Sequence, residues 1–223
     1  MAAGEGTRLR PLTERWPKPV LPIDGRPVIA TLLRELAAAG CELAIVVTGH
    51  LAEQVEELVG DGSAFGLEVR FARQPGVLGS ADAVQRGVAA GGAPPFLVTA
   101  ADTVYSPGDV GRFAAAFSAG SAAGAVAVRR GPGTQPVRVS DGLVRKLLDD
   151  DAANPLSAAP LWALGSELLL QLEGLPGPPY EIADAVERAI AGGLAVAAIE
   201  IGPTRDLTDP LDLVEENFPY LRR

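Results

Sequence analysis

Apolar and polar positions in this 223-residue chain follow two alternating periods. From Pro27 to Ala39, Val28, Leu32, Leu33 and Leu36 recur at helical spacing, with proline at the start and Gly40 as the stop. Leu43–Thr48 is a short apolar run closed by Gly49, which reads as a buried strand. Residues 51–59 carry a helical stripe of Leu51, Val55, Leu58 and Val59, and residues 67–72 alternate as a strand does. Segment 81–90 then reads as a helix, 96–99 as an apolar strand and 109–117 as a helix. In the middle, 125–128, 136–139, 143–147 and 161–164 read as strands, the second and third joined by an Asp141-Gly142 turn. Helices at 167–172, 182–191 and 209–217 and a strand at 194–201 complete the pattern.

This alternation predicts an α/β sheet with helices on both faces, whose ligands bind beyond the carboxyl ends of the strands. The chain shows no internal repeat. The Pro/Gly stretches at 131–133 and 174–179 are too short to be domain linkers, so 1–223 reads as a single domain.

Composition narrows the function. At 48% hydrophobic and 21% charged residues, the chain can bury a sizeable core and is not a disordered polymer. No apolar run reaches the roughly 20 residues of a membrane span. A secretory leader is not expected at Met1-Ala-Ala-Gly-Glu-Gly, which has neither a basic patch nor an apolar stretch. The single Cys41 has no internal partner, so a reducing cytoplasmic setting is expected, with Cys41 a small buried hydrophobe. A net charge of −9 excludes a general nucleic-acid binder. Only two lysines occur, Lys18 and Lys146, and residues 1–34 hold a local excess of basic groups within an acidic chain. That contrast points to an anion site near the N-terminus.

The chemistry concentrates in a few segments. In Ala2-Ala-Gly-Glu-Gly-Thr-Arg-Leu-Arg-Pro-Leu-Thr13, the glycines let backbone N–H groups approach phosphates, and Arg8 and Lys18 add positive charge there. Taken alone, two such glycines are a common turn. Asp102 ends the apolar strand Phe96–Thr99 and is placed either to hold Mg²⁺ over phosphates or to cap a turn. Gln74, at a strand end, is either a surface residue or a reader of hydrogen bonds. His50 reads as a packing residue of its loop.

Taken together, Ala2 to Thr13 and the following Pro17-Lys18-Pro19 resemble the signature of the sugar-1-phosphate nucleotidyltransferases. Arg73-Gln74-Pro-Gly-Val-Leu-Gly79-Ser-Ala is similar to the family's Gln…Leu-Gly-Thr-Ala stretch, and Tyr180-Glu181-Ile-Ala-Asp-Ala to its Tyr-Glu-Ile-Thr-Asp-Ala. Thr204-Arg205-Asp206-Leu-Thr-Asp-Pro-Leu-Asp-Leu resembles the family's Trp-x-Asp-x-Gly-Thr-Pro-x-Asp-Leu.

The resemblance implies a three-layer α/β/α Rossmann-like fold with a mixed, mainly parallel central sheet. It implies nucleotidyl transfer from an NTP to a sugar-1-phosphate, with release of pyrophosphate. Ala3, Gly4, Gly6, Thr7, Gln74 and Gly79 would bind the nucleotide, Gln74 reading uracil or thymine, so that dTTP or UTP is the expected donor. Arg8 would hold the pyrophosphate, Lys18 the α-phosphate, and Asp102 and Asp206 the cofactor Mg²⁺. Glu181 would border the sugar, and Asp212 reads as a helix-start charge.

The chain departs from the pattern in three places. Ala101 stands where the family has glycine. The family's Glu-Lys-Pro is absent; Lys146 lies a few residues early as a substitute for its sugar-phosphate lysine, and Asp149-Asp-Asp151 reads as a solvated loop. The family's first strand precedes the glycine loop, whereas here Met1 stands at that strand's last residue. The implied domain therefore lacks its first strand, and a start upstream is expected. Two alternatives are an amino-sugar-1-phosphate uridylyltransferase of the N-acetylmuramate type, and a non-catalytic nucleotide-binding homologue.

Overall fold

The computed structural model describes residues 1–131, 135–147, 149–151 and 154–218, so the Pro/Gly stretch at 131–133 lies outside them beyond Gly131. In chain order the elements begin with β1 (Pro22–Ile23), β2 (Arg26–Pro27), α1 (Val28–Ala38), β3 (Leu43–Thr48), α2 (Ala52–Val59), β4 (Glu68–Arg73) and α3 (Ser80–Ala89). Next come β5 (Phe96–Thr99), β6 (Thr103–Val104), α4 (Asp109–Ser118), β7 (Gly124–Arg130), β8 (Val137–Ser140), β9 (Leu143–Leu147) and β10 (Leu156–Leu164). The last are α5 (Ser166–Leu170), α6 (Ile182–Ala191), β11 (Val196–Glu200), β12 (Arg205–Asp206) and α7 (Pro210–Asn217). The longer elements fall where the hydrophobic periods place them. The two-residue strands and the first half of β10 carry too little pattern to be read in advance.

The sheet is buried on both faces, and the strand period shows how. In β7, Ala125 and Ala127 face a core shared with Ile29 and Leu33 of α1 and Phe113 of α4. Their neighbours Val126 and Val128 face the opposite core, with Val84 of α3, Leu168 of α5 and Val186 of α6. In β10, Leu161 and Ala163 join the first core, while Trp162 and Leu164 join the second. Successive side chains point to opposite faces, so each strand serves both helical layers. Small alanines on the α1/α4 side leave room for the Phe113 ring, which is fully buried.

The three layers and the mixed sheet agree with expectation, but the balance of strand directions does not. Six strands run in the order β5-β10-β7-β11-β9-β8, and within that sheet only β7 and β11 pair parallel. The reason is local. The Asp141-Gly142 turn takes left-handed backbone at both residues and folds β8 against β9, and β10 returns antiparallel between β5 and β7.

Strands β3 and β4 pair parallel as a separate ladder, from Leu43 opposite Glu68 to Thr48 opposite Arg73. Residues 1–3 tie this ladder to the main sheet at the carboxyl ends of β3 and β5. Ala2 N donates to Val47 O (2.7 Å), the Met1 amine to Thr99 O (2.8 Å) and Ala101 N to Met1 O (2.8 Å). Below that junction, a groove of about 450 Å³ runs between β3 and β5, lined by Ile45, Val47, Phe96, Val98 and the apolar face of α1.

Within the Asp149–Asp151 stretch, Asp150 and Asp151 are exposed as a solvated loop requires, but Asp149 is not. Asp149 is 5% exposed. Arg138 Nη2 donates to its Oδ1 (2.6 Å) and Asn154 Nδ2 to its Oδ2 (3.1 Å), while its own N–H reaches Pro136 O. Burial works against ionisation, but the bonds from Asn154 and Arg138 win and hold the carboxyl below its ordinary range. Arg138 comes from across the β8–β9 hairpin, which local sequence does not show, and Asn154 from five residues further along the chain. Asp149→Ala is therefore expected to lower stability, read as a fall in Tm at neutral pH. Because the native carboxyl is depressed, its contribution is complete at neutral pH and disappears as the pH falls through that lowered value, so wild type and variant should converge in acid.

Cys41 is not fully buried as expected. It is half-buried at the edge of the α1 core, and burial pushes its thiol up.

Candidate active site

A cleft of about 420 Å³ opens at the carboxyl ends of β3, β4 and β5, where an α/β sheet is expected to bind ligands. Its floor is the N-terminal loop. Gly6 takes a left-handed conformation (φ 63°) and opens a tight turn at Thr7–Leu9, and a Cβ there would sit 2.9 Å from Thr13 Cγ2. Thr13 Oγ1 donates to Gly6 O (2.9 Å). The loop is also pinned from β3: His50 N donates to Ala3 O, and His50 Nε2 lies 2.6 Å from Thr13 O. His50 is thus the packing residue it was read to be. Thr13 and Gly49 were missed as supports, because their partners lie at the far end of the loop: a Cβ on Gly49 would meet Ala3 O at 2.7 Å. A Cβ on Gly4, by contrast, meets no protein atom within 4 Å.

Leu9 leaves the loop and is buried with Leu21, Ile23, Val28 and Leu207. This small core carries Leu207 and Thr208 to the cleft wall. Arg205 clamps the segment, reaching Asp24 (2.6 Å) and Glu216 (2.5 Å), while Asn217 bonds Gly25 N and Pro22 O. Asp212 closes a capping box with Asp209 at the start of α7, which confirms it as a helix-start group.

Ala3, Gly4, Gly6, Thr7, Arg8, Lys18, Gln74, Gly79, Asp102 and Glu181 all line this one cleft. Lys18 Nζ lies 2.5 Å from Asp102 Oδ2, and the lysine side chain is only 12% exposed. Arg8 is exposed and makes no ion pair or hydrogen bond among the described residues. Ala101 is buried in the α1/α4 core and does not line the cleft, so its added methyl is kept away from it.

Gln74 is almost fully buried. Its Nε2 donates to Gly79 O (2.9 Å) and to Asp82 Oδ2 (2.8 Å). Gly79 has φ +95°, and a Cβ there would lie 2.2 Å from Tyr180 O. Two backbone bonds lock the loops together, Tyr180 N to Leu78 O and Ala81 N to Tyr180 O, both 2.8 Å. Ser80 Oγ donates to Glu181 Oε2 (2.5 Å) and accepts from Ile182 N, which fixes the Glu181 carboxylate at the cleft.

Two expected residues lie elsewhere. Asp206 pairs in register with Thr103, next to Asp102, but is exposed and does not line the cleft. Lys146 lies in β9, ion-paired to Asp150 at 2.7 Å, and does not line the cleft. The β9 strand is one position from the sheet edge opposite β5, so the lysine is carried away from the glycine loop.

The family described as nucleotidyl transferase matches residues 1–138 of this chain. An N-acetylmuramate alpha-1-phosphate uridylyltransferase of Neisseria meningitidis is 37% identical over 105 residues, 47% of this chain and 46% of that protein. A CMP-5'-(3-aminopropyl)phosphonate synthase of Streptomyces rubellomurinus is 31% identical over 99% of this chain and 38% of its own length. The chain thus spans less than half of the length of each of these relatives. Among solved structures, a UDP-glucose pyrophosphorylase complexed with UDP-glucose shares the fold with a TM-score of 0.83, 23% identity, and coverage of 99% of this chain and 96% of that one.

Proposed function

This chain belongs to the nucleotidyl transferase family, and from that premise we propose that it transfers a nucleotidyl group from dTTP or UTP to a sugar-1-phosphate, releasing pyrophosphate. The observation that carries the reading is the convergence of the glycine loop, Arg8, Lys18 and Asp102 on one cleft. In such a transfer the acceptor's phosphate oxygen attacks the α-phosphorus in line as pyrophosphate departs, so catalysis is positioning and neutralisation of charge. Lys18 steadies the α-phosphate from a largely desolvated position, Arg8 draws off the pyrophosphate, and Gln74 meets the base. Glu181, held by Ser80, accepts hydrogen bonds from acceptor hydroxyls.

Asp102 is the carboxylate through which the cleft would hold Mg²⁺, with Asp206 on the neighbouring strand as the second. This sparse set suits Mg²⁺, which binds through one or two carboxylates together with waters and phosphate oxygens. Among the described residues no cluster of three or more His, Cys, Asp or Glu forms a cage of its own. When bound, the ion would neutralise charge developing on the phosphates. No described helix is long and apolar enough to cross a membrane, and a single free cysteine fits a cytoplasmic enzyme.

A second reading narrows the acceptor to an amino-sugar-1-phosphate of the N-acetylmuramate type, favoured by the 37% identity to the Neisseria protein. Pyrophosphate release from a grid of nucleoside triphosphates and sugar-1-phosphates with Mg²⁺ tests both. Turnover is expected with UTP or dTTP. Nucleotide binding without turnover in any cell of the grid would instead make the chain a non-catalytic homologue.

A further inference from the structure

Gln74 is held in one orientation, and this has a consequence for the base. A glutamine amide can present either its acceptor or its donor edge to a ligand, and a free side chain flips between them. Here both groups facing Nε2 are acceptors only: the carbonyl of Gly79 at 2.9 Å and the carboxylate of Asp82 at 2.8 Å. A flipped amide would set Oε1 against two oxygens and lose both bonds, so the NH₂ must stay on that side. Asp82 is itself fixed. Arg86, one helical turn along α3, donates to it from Nε (2.6 Å) and Nη2 (3.2 Å), and from Nη1 to Arg73 O (3.2 Å). Burial disfavours the Asp82 charge, but the bonds from Arg86 and Gln74 hold its carboxyl below the ordinary range, so it stays an acceptor at neutral pH. Gln74 Oε1 engages no partner among the described residues, and Gln74 lines the cleft. Gln74 therefore offers the ligand an acceptor and no side-chain donor.

We propose that Asp82, held by Arg86, is a positioning residue that fixes the Gln74 amide, so that the cleft accepts bases with a ring N–H at the pairing edge and rejects those with a ring-nitrogen acceptor there. Uracil, thymine and guanine have such an N–H; cytosine and adenine present a bare nitrogen. An acceptor facing an acceptor forfeits the bond and leaves a buried group unpaired, worth about a hundredfold in affinity. The inference rests on the reading of this cleft as the nucleotide site, and direct binding measurements keep the two separable.

Calorimetric affinities for UTP and CTP are to be measured in the wild type and in Asp82→Asn, an isosteric change that can donate as well as accept. Wild type is expected to prefer UTP about a hundredfold. In Asp82→Asn the ratio is expected to fall below about tenfold, chiefly because CTP gains, and Arg86→Gln, which frees the carboxylate to move, is expected to fall between. A purely structural role for Asp82 would weaken both nucleotides together and leave the ratio unchanged, and that result overturns the proposal. Equal wild-type affinity for UTP and CTP overturns it as well, while leaving the nucleotide site standing. Failure to bind any nucleotide sinks both readings.

Discussion

Lys18→Met is expected to lower kcat/KM for nucleotidyl transfer about a thousandfold, with Tm changed by only a few degrees. Removing one preorganised charge aimed at the reacting phosphates costs about a hundred- to a thousandfold when the site is shielded from water. The upper figure is expected here because the lysine side chain is only 12% exposed, with no other lysine near the cleft to replace it. Arginine should not rescue, since its planar fork cannot occupy the ammonium's position beside Asp102. Lys18 and Asp102 neutralise one another at 2.5 Å, so the two act as a unit. Adding Asp102→Asn to Lys18→Met should therefore cost far less than the product of the separate losses. Steady-state pyrophosphate release with saturating Mg²⁺ measures both effects. Activity of Lys18→Met within tenfold of wild type would remove Lys18 from the reaction.

Gly79→Ala is expected to be the most disruptive single-methyl change at the site. Position 79 has φ +95°, which side-chain-bearing residues rarely adopt, and its new Cβ would lie 2.2 Å from Tyr180 O and 2.5 Å from Tyr180 N. Those atoms are backbone and cannot rotate away, so the loops of Gly79 and Tyr180 must separate. Strain of about 1–3 kcal/mol and overpacking of a similar size should appear together as lost stability. Separation would also release Ser80 from Glu181 and Gly79 O from Gln74. Nucleotide affinity should therefore fall with Tm. Gly4→Ala is the matched control, because its Cβ meets no protein atom within 4 Å; it should keep Tm and alter binding alone. Equal Tm for the wild type and Gly79→Ala would contradict the packing described for this loop.

The longer helices and strands were legible because their side chains repeat at 3.6 or 2 residues on faces that the fold buries. α1 exposes its pattern in Leu32, Leu33 and Leu36, all buried. The cleft was legible for a different reason: the Ala2–Thr13 and Pro17–Pro19 segments, with Gln74 to Gly79, resemble a family signature that names its residues. Asp149 was misread because its neighbours in sequence are acids, whereas its ionic partner Arg138 is reached only when the hairpin closes. Lys146 illustrates the same limit, since nothing in its own segment tells which edge of the sheet β9 occupies.

Sequence alone determined the element pattern and the two-faced sheet, because periodicity acts over a few residues, and its resemblance to a family signature supplied the groups around the cleft. Only the tertiary structure decided strand direction, the Lys18–Asp102 pairing, and the Asp82 contact that fixes which edge of Gln74 faces a base. Such contacts depend on where separate segments meet in space. That is set by how the whole core packs, and no single stretch of the chain records it.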